Sequence, residues 1–242
     1  DCAFMNCSKL ISIMIPDSVT SIGVEAFSGC VSLTSISIPD SAISIGEGAF
    51  SGCSNLVSIT IHGSVTSIKE CTFMNCSNLT SIMIPDSVTS IGKEAFSGCS
   101  RLASISIPDS TASIGAGAFN GCRNLISVTI PDRVTTISER TFERCINLTR
   151  IMIPNSVTSI REHAFSYCSN LISVTIPNTV TSILDGTFND CSTLTSIFIP
   201  DSVMSIGENA FCWSSCLTIY ASKDSFAHKY AVRKRINFNT ID

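Results

Sequence analysis

Thirteen cysteines and three histidines are the residues of this chain with the widest chemical repertoire. Nine of the cysteines keep one fixed step of 23 residues: Cys7, Cys30, Cys53, Cys76, Cys99, Cys122, Cys145, Cys168 and Cys191. In stacked coils such a register points one way, and adjacent parallel rungs lie about 4.8 Å apart. A disulfide needs Cβ atoms about 3.8 Å apart with the two side chains directed at each other. The spacing therefore predicts a column of free, buried thiols that act as small hydrophobes. The column recurs too evenly to mark one nucleophile, and nothing places a base beside any single thiol. Cys2, Cys71, Cys212 and Cys216 lie off it, and of these only Cys212 and Cys216 are close enough in sequence to pair. The spacing of these two is not a usual zinc pattern, even with His228 in the same segment. His62, His163 and His228 fall in different repeats and registers, so they imply neither a metal cluster nor a catalytic dyad. There is no P-loop and no dinucleotide fingerprint. The sequence thus yields no catalytic residue, no metal ligand and no cofactor, and the chain is read as a non-enzyme.

The elements that carry these residues follow from the same period. Phenylalanine recurs from Phe4 to Phe211, and leucine from Leu10 to Leu217, at the cysteine step. A fixed period without insertion means a solenoid whose coils bury their apolar sides against their neighbours. In one coil, Leu33-Thr34-Ser35-Ile36-Ser37-Ile38 ends in alternation and predicts a strand with Ile36 and Ile38 inward. Pro39 ends it, because proline brings no N–H to a ladder. Val19-Thr20-Ser21-Ile22 predicts a second short extended segment, and Gly23 permits a bend. Glu25-Ala26-Phe27 predicts a short helical turn with Ala26 and Phe27 inward. The pattern breaks after Phe211, where Ser214 replaces the column cysteine and Trp213 is the only tryptophan. Residues Ala221 to Arg235 predict a capping helix that buries Phe226, Tyr230 and Val232, and Ile236-Asn237-Phe238 a last strand. The expected division is a solenoid over 1–220 and a cap over 221–242.

Of the 242 residues 44% are apolar and 14% charged, so a large share must be buried. No apolar run approaches the roughly 20 residues that span a bilayer, so membrane insertion is not expected. The chain begins in mid-repeat, with Asp1 in the register of Val24, so the lack of a signal peptide says little about secretion. That uncapped N-terminal edge offers a surface for a homodimer. Up to Phe211 there are 17 acidic and 10 basic residues. An acidic body disfavours nucleic acid, which needs a basic stripe. The Arg233-Lys234-Arg235 run reads as a solvated helix end.

The unit AFxxCxxLxSIxIPxSVTSIG resembles the BspA-like, or Treponema-type, leucine-rich repeats, and the likeness runs from about Ala3 to Phe211. Departures are few: His62-Gly63 for Pro-Asp, Thr111 for the inward valine, Cys71-Thr72 for Glu-Ala. The resemblance implies an α/β solenoid shaped as a right-handed horseshoe, with its parallel sheet on the concave side. It further implies a surface-exposed or secreted protein that binds a host or extracellular matrix protein. The alternative is an intracellular (cytoplasmic) interaction scaffold, in which a reduced cysteine column is comfortable.

In such repeats the outward strand position faces the concave surface, where a partner is expected. Here it holds Met14, Ser37, Thr60, Met83, Ser106, Thr129, Met152, Thr175 and Phe198. The neighbouring outward register is serine from Ser12 to Ser196, interrupted only by Arg150. Together these are the expected partner-binding residues, a hydroxyl-rich floor with Met and Phe studs and one guanidinium. A second Thr-Ser ladder, interrupted at Ile43, Ala112 and Met204, suits water or polysaccharide less well. Charges gather at the turn after each second strand, which reads as a solubilising face.

Overall fold

A computed structural model describes residues 1–241. All its strand pairings are parallel. The first ladder begins with Ser35–Ser37 beside Ser58–Thr60, a register of one repeat. It narrows to the isolated bridges Met83 to Ser106 and Ser104 to Ser127. It then widens through Ser127–Thr129, Arg150–Met152, Ser173–Thr175 and Ser196–Phe198. The second ladder is built from two-residue strands such as Ser21–Ile22 with Ser44–Ile45 and Thr136–Ile137 with Ser159–Ile160. Strands such as Ser35–Ser37, Ser58–Thr60 and Ser127–Thr129 bury one residue and show its neighbours to solvent, as the alternation requires.

The third side differs from expectation at Glu25–Phe27, where linked turns replace the helical turn. The Ala26 N–H donates to the Gly23 carbonyl at 3.3 Å, and the Ser28 N–H to that of Glu25 at 3.1 Å. The alternate N–H groups leave the coil: Glu25 donates to the Glu47 carbonyl and Phe27 to that of Ala49, both at 2.8 Å. A helix would keep those donors for itself. Turning them outward needs a left-handed residue every fourth position, here Glu25 at φ 51° and Gly29 at φ 72°. So this side is laddered too, and the buried backbone finds its partners in the next coil.

The core is a set of columns. Phenylalanine rings stack at centroid distances of 5.1 to 5.6 Å, and Phe50 through Phe188 are fully buried. Each such ring stabilises the array by about 1.5–3 kcal/mol, but only while a neighbouring coil covers it. The column thiols do more than fill space. Cys53 Sγ donates to the Phe27 carbonyl at 3.1 Å and Cys99 Sγ to that of Phe73 at 3.2 Å. Where serine replaces cysteine, Ser214 Oγ donates to the Phe188 carbonyl at 3.0 Å and keeps the pattern. Burial pushes the Cys53, Cys122 and Cys191 thiols up to about 12 from an ordinary 9.0. Among the described residues all thirteen cysteines are free, Cys212 and Cys216 included. Threonines at core positions find backbone acceptors: Thr72 Oγ1 donates to the Lys69 carbonyl of its own turn at 2.8 Å, and Thr111 Oγ1 to the Val88 carbonyl of the preceding coil at 3.2 Å.

The C-terminal end departs from the period. Thr218–Ala221 extends as a strand paired with Ser196–Phe198. The helix therefore spans Phe226–Lys234, starting five residues later than expected. Its N-cap is Ser225, whose side chain accepts from the His228 N–H at 3.1 Å. The buried face is Ala227, Tyr230 and Ala231, while Phe226 and Val232 are exposed. Two alanines let the helix lie close against the last coil, which bulkier side chains would prevent. Tyr230 then closes the phenylalanine column, edge-on to Phe211 at 6.0 Å, and its hydroxyl donates to the Gly207 carbonyl at 3.2 Å. Asn237–Thr240 adds a parallel strand beside Thr218–Ala221. Arg233 pairs with Glu208 at 2.8 Å and Lys234 pairs with the same carboxylate, so only Arg235 of the basic run is unpaired among the described residues. The packing of the first coil leaves Phe4 partly exposed and Leu10, Ile13, Ile15 and Val19 only partly covered.

Candidate functional site

The inward isoleucines of the first ladder fix which residues face out. Ser37 stands beside Thr60, Met83 beside Ser106, Met152 beside Thr129, and Phe198 beside Thr175. All nine residues of this register are exposed, with Met14 at 90%. Arg150 lies between Ser127 and Ser173 in the neighbouring register, exposed and without an ion pair among the described residues. The structure thus places the expected residues on one side of the parallel ladder. Their spacing is set by the coil repeat.

Two features of this face are absent from the sequence reading. The column continues past Phe198 into Tyr220 and Asn239, and the Tyr220 ring stacks on Phe198 at 4.8 Å. Phe198 is therefore half of an aromatic pair and stands at 39% exposure. A one-residue shortening of the last coil hides this in sequence, because it pairs Phe198 with a residue 22 positions on. There is also a third outward column, in which Ile11, Val57, Ile126 and Ile172 are interleaved with Thr34, Thr80, Thr149 and Thr195, with Ala103 the one other member. The threonines reach back along it, as Thr80 Oγ1 donates to the Val57 carbonyl at 3.4 Å. The signal was present in Thr34-Ser35, two consecutive outward residues that break strict alternation.

Elsewhere the charged turns form exposed pairs: Lys93 with Glu70 at 3.5 Å, and Arg140 with Glu139 at 3.2 Å. Such pairs add little stability. His62 Nδ1 lies 2.8 Å from an Asp40 carboxylate oxygen, a contact between neighbouring coils that register analysis missed. Among the described residues no group of three potential ligands could hold a metal ion. No helix among them is long and apolar enough to cross a membrane.

A repeat of this period, with a parallel ladder on one side and columns of leucine, phenylalanine and cysteine buried from Phe27 to Leu194, defines a leucine-rich-repeat solenoid. The description "BspA type Leucine rich repeat region (6 copies)" matches residues 1–110 and 89–218, and the chain belongs to that family. Among solved structures, a Treponema pallidum leucine-rich repeat protein is 34% identical with a TM-score of 0.64, covering 66% of this chain and 78% of that one. A leucine-rich repeat protein from Eubacterium ventriosum shares the fold at 20% identity and a TM-score of 0.52, over 84% of this chain and 82% of that one. The pneumococcal vaccine antigen PcpA does so at 18% identity and a TM-score of 0.52, over 96% of this chain and 79% of that one. No curated protein matches the sequence.

Proposed function

We propose that this chain is a non-enzymatic recognition and adhesion module, surface-exposed or secreted, that binds a host or matrix protein through the outward face of its first ladder. The observation that carries the reading is the uninterrupted exposed column from Met14 to Phe198, with Arg150 beside it, held on a stack of parallel rungs. Exposed methionines adapt to a partner's contours, and aromatic and arginine residues are those that dominate interface energetics. The family supports protein interaction in general. Residues 1–220 act as the binding solenoid, and 221–242 as the cap that shields its last coil. A homodimer through the partly exposed first coil belongs to the same proposal, and sedimentation at rising concentration tests it.

The binding test uses immobilised fibronectin, laminin and collagen with the intact chain in solution. Phe198→Thr and Arg150→Ser put in residues that already stand in each column, so both variants keep the fold. Each is expected to weaken capture by about 1–2 kcal/mol, or roughly five- to thirty-fold. Binding of unchanged strength in both would move the site off this face. The intracellular scaffold is the second reading, favoured by the free thiols. Capture of cytosolic proteins with no matrix protein bound would support it.

A further inference from the structure

A second, smaller site lies at the junction of the last coil and the C-terminal helix. Its cleft of about 310 Å³ is lined by Phe211, Trp213, Ser215, Lys234, Arg235 and Asn237, among others. Trp213 is the only tryptophan of the chain and is 77% exposed. Its backbone is left-handed at φ 63°. The same corner of earlier coils holds Asn6, Gly29, Gly52, Asn75, Gly98 and Gly121, then Arg144, Tyr167 and Asp190, all in the same left-handed conformation. What sets Trp213 apart is its exposure: Tyr167 at the same corner lies under the Arg144 guanidinium at 5.6 Å and is 40% exposed, whereas the indole is open. Arg235 faces the same cleft, is itself left-handed at φ 57°, and makes no ion pair among the described residues. Its neighbour Lys234 is occupied by Glu208.

We propose that this cleft binds an acidic sugar, independently of the strand face. The Arg235 guanidinium suits a carboxylate, which its fork can hold through two hydrogen bonds. The exposed indole offers a flat face to the apolar side of a pyranose ring. The Ser215 hydroxyl and the Asn237 amide supply the donors and acceptors that sugar hydroxyls need. The volume lies at the lower end of small-molecule sites, the scale of one sugar ring. A neutral sugar leaves the guanidinium without a partner, and a simple carboxylate leaves the indole uncovered.

Because Trp213 is the only tryptophan, its fluorescence reports directly on the site. The intact chain is titrated with glucuronic acid and with N-acetylneuraminic acid, with glucose, acetate and an acidic peptide as comparisons. A saturable change is expected with at least one acidic sugar, and a much weaker one with the other three. Arg235→Asn keeps a residue that accepts the left-handed conformation and removes the charge. It should weaken binding by about 10- to 100-fold, the range of a charge-assisted hydrogen bond. Circular dichroism confirms that this variant is folded. No response to either acidic sugar overturns the proposal, as does an equal response to acetate or to the peptide. Phe198→Thr should leave this titration unchanged, which separates the two sites.

Discussion

Each buried thiol of the cysteine column donates to a phenylalanine carbonyl of the preceding coil, and Ser214 does the same at the last one. These thiols make stability depend on alkalinity. Folded pKa values near 12 stand above the unfolded 9.0 for Cys53, Cys122 and Cys191. Below pH 9 the thiols keep their protons in both states, so their contribution is fully present. Above it the unfolded thiols ionise first, and each such group removes about 1.4 kcal/mol per pH unit until the folded thiol titrates. The urea midpoint should therefore hold steady up to about pH 9 and fall from there towards 12. Cys122→Ser should make the fall shallower. A midpoint unaffected by pH across that window would mean that the thiols are not buried as described. Burial of the column was legible from its period alone. Its hydrogen bonds were not, because they join residues 26 positions apart rather than one repeat. The substitution at Ser214 was the available hint, since serine is small and keeps a donor.

At the scale of the elements, the C-terminal helix was legible as a helix but not in its orientation. Phe226 and Tyr230 are four residues apart, and so are Ala227 and Ala231, so helical spacing does not choose between the two faces. Close approach to the last coil does, and it selects the alanines. Ala231→Arg places a charge where none can be paired and should cost about 3 kcal/mol. Hydrogen exchange should then quicken across Phe226–Thr240 while the coils from Phe50 to Phe165 stay protected. Protection that stays intact at the helix would contradict this docking. Acid should loosen the same contact. Hydrogen bonding from Lys234, with Arg233 nearby, lowers the Glu208 carboxyl from 4.5. Its contribution is present above that value and is lost as pH falls through the lower folded one. Helix exchange measured on the native chain should accordingly speed up below about pH 4.5. Glu208→Gln should remove that dependence. The first ladder was legible as strands because alternation marks its inward isoleucines. The turns at Glu25–Phe27 were not, because their donors go to the next coil and no local pattern records that choice.

Over the whole molecule a longer rhythm overlies the coil repeat. Met14, Met83 and Met152 stand three coils apart, and so do the left-handed glycines Gly48, Gly117 and Gly186. A partner laid along the ladder therefore meets a methionine about every 14 Å, three rung spacings of about 4.8 Å. The solenoid and the outward register were legible because every coil repeats the same residues. The aromatic pair of Phe198 and Tyr220 was not, because it forms only where the repeat loses a residue. The most direct test of recognition through this face is methionine oxidation by peroxide, mapped by mass spectrometry with and without a matrix protein that the chain captures. Met204 is also exposed, at 70%, but lies on the other ladder, so it serves as the internal comparison. Bound partner should slow oxidation of two or more of Met14, Met83 and Met152 while Met204 reacts as before. Protection of Met204 alone, or oxidation of all four at unchanged rates in a saturated complex, would place the partner elsewhere on the molecule.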